Sequence, residues 1–222
     1  MMAFGAETIG RLIMKNLVGK IFYFMVILGL LAFIIIIKEW MLLIFSLFCI
    51  IYYFRETLST IVEKIPLSDF AKYFVIGTLT GLLAEYLAIC SGSGFFNPNL
   101  IKGFILSAGL YGAIPVIWYF LLRKYSFNTI SVFSLGGIWG IFVEQDLAIL
   151  LSFDIFAYLY VFVAYGSIIC IPFLLTEKIF NGLVRKEGIK KYVVAFFTQF
   201  LAYLIGFIWM AIATSITGIE IW

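Results

Sequence analysis

Two glutamates lie within apolar sequence, and each ends the same short pattern of small residues. The pattern is Gly-x-x-x-Gly-x-x-x-Glu, and its two copies consist of Gly77, Gly81 and Glu85, and of Gly136, Gly140 and Glu144. A charged side chain at the centre of a bilayer costs about 2.5–3.5 kcal/mol even on the most lenient insertion scale, so such residues are candidates for a functional site. The repeated pattern therefore predicts a pair of carboxylates that acts inside the membrane.

The chemistry available to two such carboxylates follows from their burial. Two acids at one depth should titrate as a coupled pair. They could carry a proton or a cation, bind an amine-bearing ligand, or act as acid and base on a lipid. We predict a ligand- or ion-binding set that consists of Glu85, Glu144, Asp146, Tyr86, Tyr111 and Tyr165. The chain has no histidine, and we assign no catalytic residue, no metal site and no cofactor.

The composition decides the class of protein that must position these acids. Hydrophobic residues make up 64% of the 222 residues and charged residues only 12%, against roughly 25% charged residues in average soluble domains. We therefore predict an all-α, multi-pass transmembrane bundle that forms a single domain over residues 1–222, in the cell membrane of a prokaryote. Its basic residues flank apolar segments, which indicates contact with anionic lipid headgroups rather than with nucleic acid.

Seven apolar segments are predicted as membrane crossings. They cover residues 21–37, 40–54, 73–91, 104–122, 129–153, 155–175 and 192–214. The link between the first two is only Lys38-Glu39 and lacks a turn residue, so one long tilted helix and six crossings are the alternative. Seven crossings with a cytoplasmic N-terminus place all of the 15 basic residues inside except Lys38 and Lys102, which favours seven and a C-terminus outside. Residues 4–18 carry one charged and one apolar stripe, which predicts a helix in the membrane interface or an ordinary short helix that caps the bundle.

The similarity between the two glutamate helices extends to the segments that follow them. Tyr111-Gly112 lies in the fourth crossing and Tyr165-Gly166 in the sixth. Residues 73–122 and 129–175 are therefore predicted as two units of a parallel internal repeat, related by an axis along the bilayer normal. A chance match between two apolar sequences is the alternative.

The repeat also predicts where the two acids lie. A helix rises about 1.5 Å per residue, which places Glu85 roughly 20 Å beyond Lys72 and Glu144 roughly 24 Å beyond Asn128, at similar heights in the outer half of the membrane. The glycines and the glutamate of each pattern share one helix face, and small residues at this spacing allow close helix contact. We expect the third and fifth helices to pack near one another, or each on its own partner, with both acids turned inward.

Three functions are compatible with this architecture. The prediction we favour is a small proton- or cation-linked transporter or channel that uses Glu85 and Glu144. The alternatives are a non-catalytic subunit or scaffold of a larger membrane complex, and a membrane enzyme that acts on a lipid or isoprenoid. A non-enzyme is favoured over an enzyme. The expected partners are membrane lipids, together with other membrane subunits or further copies of the chain.

Overall fold

The described part of the chain is helical. A computed structural model describes residues 23–32, 34–92, 97–144 and 154–219, with the side chains of Val143 and Glu144 left undescribed. Helices make up 85% of the structure, and no strand occurs among the described residues. The helical content confirms the predicted all-α class, and five helices are long and apolar enough to cross a membrane, which supports the predicted membrane protein. The predicted helix over residues 4–18 lies outside the described residues.

The chain divides into two units, Met1–Glu39 and Trp40–Trp222. The first unit contains helix α1, Tyr23–Ile37. The next residue, Lys38, has a left-handed φ of 59°, a conformation that a right-handed helix does not contain. The described backbone is therefore not one continuous helix across the first two apolar segments.

Six helices build the second unit over its described residues. They are α2 (Leu43–Glu63), α3 (Asp69–Cys90), α4 (Leu100–Lys124), α5 (Thr129–Trp139), α6 (Ile155–Thr176) and α7 (Lys190–Thr217). A 3-10 turn, Trp40–Leu42, leads into α2, a π-helical turn, Gly140–Glu144, continues α5, and a 3-10 turn, Glu177–Phe180, follows α6. The membrane-length helices are α2, α3, α4, α6 and α7, whereas α1 and α5 are shorter apolar helices. The predicted fifth crossing reaches residue 153, beyond the described part of α5.

Helix α2 is longer than the predicted second crossing. The prediction ends at residue 54, whereas the helix ends at Glu63. Residues 55–63 read RETLSTIVE, a polar stretch without Gly or Pro, so hydropathy falls there while nothing stops the helix. Pro66 follows shortly after and disfavours helical backbone in the residue before it. Hydropathy therefore predicts only the apolar part of α2, and the predicted second crossing ends nine residues before the helix does.

Four helices begin at a side chain that caps their free backbone N–H groups. The capping residues are Ser68 for α3, Asn99 for α4, Asn128 for α5 and Asp154 for α6. The oxygen of each accepts a hydrogen bond from the first helical turn, as when the Ser131 N–H donates to Asn128 Oδ1 at 2.8 Å. Such caps contribute about 1 kcal/mol each, and they fix the residue at which each helix starts.

Helix α6 lies at the centre of the second unit. It packs against α2, α3 and α5, and 72% of its apolar span is buried, compared with 22% for α2 and for α7. Helix α4 packs against α3 and α7. The two helices that carry the glycine patterns, α3 and α5, are therefore both neighbours of α6 rather than a principal packing pair with each other.

The glycines of the first pattern lie directly under side chains of α4. A methyl group added at Gly81 would lie 2.3 Å from Tyr111 Cδ1, and one added at Gly77 would lie 2.5 Å from Pro115 Cβ. Both distances are far below van der Waals contact, so a side chain does not fit at either position. Helices α3 and α4 approach this closely only because both positions are glycine.

The second pattern makes the same kind of contact with α6. A methyl group added at Gly140 would lie 2.5 Å from Tyr165 Cγ, and one added at Gly136 would lie 2.9 Å from Ile169 Cβ. In both halves a tyrosine covers the second glycine, and the residue four positions after that tyrosine covers the first glycine. This shared register supports the predicted repeat, and the duplication itself stays a prediction.

The loop between α4 and α5 is joined to the loop between α6 and α7. The Ser126 N–H donates to the Lys186 carbonyl at 3.1 Å, and the Lys186 N–H donates to the Lys124 carbonyl at 2.9 Å. The Lys191 ammonium donates to the Ser126 carbonyl and to Glu187 Oε2, the latter at 2.9 Å. These contacts, which we call the loop clasp, hold the ends of α4, α5, α6 and α7 together on one side of the bundle.

Replacing Gly81 with Ala should destabilise the protein by about 1–3 kcal/mol, because the added methyl overlaps the Tyr111 ring and forces α3 and α4 apart. Gly112→Ala is the matched control, since no heavy atom lies within 4 Å of a methyl group at that position and alanine favours a helix by about 1 kcal/mol over glycine. The free energy of unfolding of each variant is measured in mixed detergent micelles. Equal stabilities for the two variants would contradict the close helix contact at Gly81.

The loop clasp predicts a pH-dependent contribution to stability. Hydrogen bonds from Lys191 and Ser126 lower the pKa of Glu187 below its ordinary value of about 4.3. The contribution of Glu187 is therefore fully present above about pH 4.3 and is lost as the pH falls through the lower folded pKa. The unfolding midpoints of the wild type and Glu187→Gln should differ at about pH 6, and the difference should shrink as the pH falls below about 4.3. If the two unfolding midpoints differ equally on both sides of this pH, the ionised Glu187 carboxylate does not stabilise the loop clasp.

Candidate functional site

Glu85 is completely buried in the membrane-length helix α3. Its exposed fraction is 0%, and it lies five residues before Cys90, the last residue of the helix, about 7.5 Å along the axis from that end. The Tyr111 hydroxyl donates to Glu85 Oε2 at 3.3 Å. The structure thus brings together two of the six residues that the sequence predicts for the site.

Helix α4 presents a narrow face to this carboxyl. A methyl group added at Gly103 would lie 3.3 Å from Glu85 Oε1, so the glycine leaves the room that the carboxyl occupies. Ser107 lies four residues from Gly103 and four from Tyr111, hence on the same face of α4, and it is fully buried. The carboxyl therefore lies against a stripe of small residues that ends in a tyrosine hydroxyl.

The glycine at position 81 explains why Tyr111 reaches Glu85. The Tyr111 ring lies across Gly81, which is one turn before Glu85 on the same face of α3. From there the hydroxyl extends to the next turn, where the carboxyl accepts its hydrogen bond. A side chain at position 81 would displace the ring, so the glycine, the tyrosine and the acid form one structural unit.

Among the remaining predicted binding residues, the three that the structure describes at least in part lie on three different segments. Tyr86 is 43% exposed on α3, and Tyr165 is buried on α6 with its ring over Gly140. The backbone of Glu144 ends the π-helical turn after α5, whereas its side chain and the whole of Asp146 lie outside the described residues. A pair of acids that face each other therefore stays a prediction.

A small cavity lies next to Tyr111, where α3, α4 and α6 meet. Its volume is about 10 Å³, and its walls include Gly77, Gly81, Tyr111, Pro115, Trp118 and Pro172. A cavity needs about 10–15 Å³ to hold one water molecule, so this one has room for a single water at most. A proline removes one backbone hydrogen bond from its helix. The cavity therefore lies beside the positions at which α4 and α6 bend most easily.

A second buried hydrogen bond lies beyond the cavity. Trp118, which lines the cavity, donates from Nε1 to Gln199 Oε1 at 3.3 Å, and Gln199 is buried on α7. Two buried hydrogen bonds, from Tyr111 to Glu85 and from Trp118 to Gln199, therefore involve side chains that line the same cavity. The predicted site does not include Trp118. Its position seven residues after Tyr111, on the same face of α4, is the signal that could have found it.

Two further observations limit the chemistry of the described residues. A groove of about 270 Å³ between α2 and α5 is lined by Phe45, Phe48, Tyr52, Thr129, Ile130 and Phe133 and by no acidic side chain. No group of three or more metal-binding side chains occurs within the ranges that the structure describes. The buried carboxyl of Glu85 is therefore the feature that best defines a candidate site.

The contact between Glu85 and Tyr111 should be measurable as a coupling energy. Glu85→Gln and Tyr111→Phe should couple by about 0.5–1.5 kcal/mol in a double-mutant cycle of unfolding free energies, the range found for hydrogen bonds between membrane helices. Tyr119→Phe is the control, because Tyr119 is also buried on α4 but two turns further along. It should show no coupling to Glu85→Gln. Zero coupling for Tyr111 as well would refute the contact.

Comparison with known proteins provides no relative for this site. No protein-family model, no curated protein and no solved structure matches the chain. The function must therefore be inferred from the chain's own residues and contacts.

Proposed function

We propose that the protein is a small proton- or cation-linked transporter or channel of the cell membrane, with Glu85 as its ion-binding residue. The observation that carries this proposal is the complete burial of the Glu85 carboxyl in a helix long enough to span a bilayer. Acidic side chains within membrane helices mark ion pathways and proton relays. The proposal therefore assigns to Glu85 the role that such residues have in other membrane proteins.

The chemistry of a buried carboxyl favours an exchangeable occupant. A bare carboxylate in apolar surroundings is costly, whereas one that holds a proton or contacts a cation costs far less. A tyrosine hydroxyl can donate a hydrogen bond to the carboxylate or accept one from the protonated acid. Tyr111 can therefore support Glu85 both with and without its proton, which is what a residue that loads and unloads an ion requires.

The surroundings of Glu85 offer a place for movement. Helices α3 and α4 touch through Gly77 and Gly81, and the small cavity beside them lies against Pro115 and Pro172. Helices that meet through glycines and bend at prolines can shift without large side chains having to pass one another. A cavity of about 10 Å³ is too small for an ion pathway, so we assign the structure to a closed state.

Glu144 is the second acid of the proposed site, as the sequence pattern predicts. The glycines of the two patterns lie under Tyr111 and Tyr165 in the same register, and this likeness supports an equivalent role for the two glutamates. Tyr165 then belongs to the second acid as Tyr111 belongs to the first. Asp146 and Tyr86 remain predicted members of the binding set.

The proposed topology has seven crossings, a cytoplasmic N-terminus and a C-terminus outside. Two lysines bind at the end where α2 stops and α3 starts: Lys72 Nζ donates to the Glu63 carbonyl at 2.8 Å, and Lys178 Nζ donates to Thr60 Oγ1 at 2.6 Å. In this topology the loop clasp, which contains Lys186 and Lys191, lies on the same side of the membrane as the loop between α2 and α3. An accumulation of basic residues is typical of the cytoplasmic side.

A non-catalytic subunit or scaffold is the second candidate, and the dense packing around Tyr111 favours it. If the contact between Glu85 and Tyr111 served only to join α3 to α4, the protein would need no ion pathway. The cavity of about 10 Å³ would then not have to widen. The enzyme alternative has weaker support, because no acidic side chain among the described residues lines the groove of about 270 Å³ between α2 and α5.

Ion flux into proteoliposomes tests the proposal. Protons are driven inward by a potassium diffusion potential set with valinomycin and recorded with a trapped pH-sensitive dye, and sodium uptake is recorded in parallel. The wild type should exceed protein-free vesicles in at least one of the two assays. Glu85→Gln, which cannot bind and release a proton or hold a cation by charge, should return that flux to the background.

Glu63→Gln is the matched control for this experiment. Glu63 is exposed at the end of α2, so its replacement changes the net charge equally and should leave the flux at the wild-type level. Wild-type flux no greater than that of empty vesicles for both ions would overturn transport and favour the subunit. If the wild type carries flux and Glu85→Gln carries the same flux, the proposed role of Glu85 is overturned.

A further inference from the structure

A polar pocket lies at one end of the bundle, where α3 begins, α4 ends and the 3-10 turn follows α6. Its volume is about 120 Å³, and its walls are formed by Asp69, Tyr119, Arg123, Ile179, Phe180 and Leu183. A cavity needs about 10–15 Å³ to hold one water molecule, so this pocket has room for several waters or for a compact polar group. It is separate from the site around Glu85, which lies near the opposite end of α3.

The pocket contains one side chain of each charge. Asp69 is in the first turn of α3 and Arg123 is in the last turn of α4, and both are exposed. Among the described residues no ion pair joins them. The Arg123 guanidinium lies 5.8 Å from the centre of the Tyr119 ring, a cation–π contact that holds it in place. The pocket therefore offers a positive and a negative group that are both available to a ligand.

The rest of the pocket is apolar and lies at the depth of lipid headgroups. Phe180 and Tyr119 are buried beneath it, and Leu183 is 40% exposed at its rim. The first turn of one membrane-length helix and the last turn of another define the boundary between hydrocarbon and headgroups. A ligand with a charged head and an apolar tail fits this arrangement.

We propose that the pocket binds the headgroup of a phospholipid that carries both a phosphate and a primary ammonium, as in phosphatidylethanolamine. Arg123 binds the phosphate oxygens, since a guanidinium presents paired donors that match a phosphate. Asp69 accepts hydrogen bonds from the ammonium. The acyl chains leave the pocket past Leu183 into the surrounding bilayer.

Asp69 is the residue that decides between headgroups. A phosphatidylglycerol headgroup would bring a phosphate to Arg123 but would offer no positive charge to Asp69, which would then repel it. A phosphatidylcholine headgroup brings a positive charge, but its quaternary ammonium has no N–H to donate to the carboxylate. The zwitterionic headgroup with a primary amine satisfies both side chains at once.

Lipid binding to the purified full-length protein in detergent tests this inference. Phosphatidylethanolamine, phosphatidylglycerol and phosphatidylcholine with identical acyl chains are added in turn, and the affinity of the first bound lipid is measured by native mass spectrometry. The wild type should bind phosphatidylethanolamine about fivefold more tightly than either other lipid, the factor that about 1 kcal/mol provides. Asp69→Asn and Asp69→Ser should both abolish this preference.

The arginine and two controls complete the experiment. Arg123→Gln should weaken binding of all three lipids, and Arg123→Lys should restore part of it because the charge is retained. Glu63→Gln and Lys64→Gln alter exposed charges at the end of α2, outside the pocket, and should keep the wild-type preference. Equal affinity of the wild type for the three lipids, or a preference that survives both Asp69 variants in correctly folded protein, would overturn the proposal.

Discussion

The close approach of α3 and α4 is the constraint on which the candidate site depends. Tyr111 can lie across α3 only because position 81 has no side chain, and the same placement brings its hydroxyl to within 3.3 Å of Glu85 Oε2. On the other side of the carboxyl, Gly103 leaves the room that Glu85 Oε1 occupies. An acid can therefore be buried between two apolar helices without pushing them apart, because glycines provide the space and a tyrosine provides the polar contact.

The packing order of the helices determines what surrounds this acid. Helix α6 is the central helix and contacts α2, α3 and α5, and the contacts of the described residues place Glu85 where α3 meets α4. The cavity beside Tyr111 leads toward Trp118 and Gln199, which extends the polar groups toward α7. Dense packing along this line agrees with a closed transporter and equally with a rigid subunit, and exchange of an ion at Glu85 distinguishes the two.

The bundle contains helix ends that are held by side chains and two helices that each contain a proline. The side-chain caps and the loop clasp hold helix ends in place, and the pocket formed by Asp69 and Arg123 would add a bound lipid at one of these ends. Pro115 lies near the middle of α4, Pro172 lies four residues before the end of α6, and both line the cavity. In the proposed transporter, a movement that exposes Glu85 would bend α4 at Pro115 and α6 at Pro172.

The sequence by itself determined the all-α class with helices of membrane length, the approximate positions of the helices and the spacing that places Glu85 on the face of Gly77 and Gly81. These properties depend on hydropathy and on the helical repeat, which are local. Only the tertiary structure decided that α6 lies at the centre, that Tyr111 rather than the adjacent Tyr86 contacts Glu85, and that Trp118 pairs with Gln199. The physical reason is that lipid is as apolar as the helices. Hydropathy therefore cannot choose a neighbour, and the choice is left to the close fit of glycines under particular side chains.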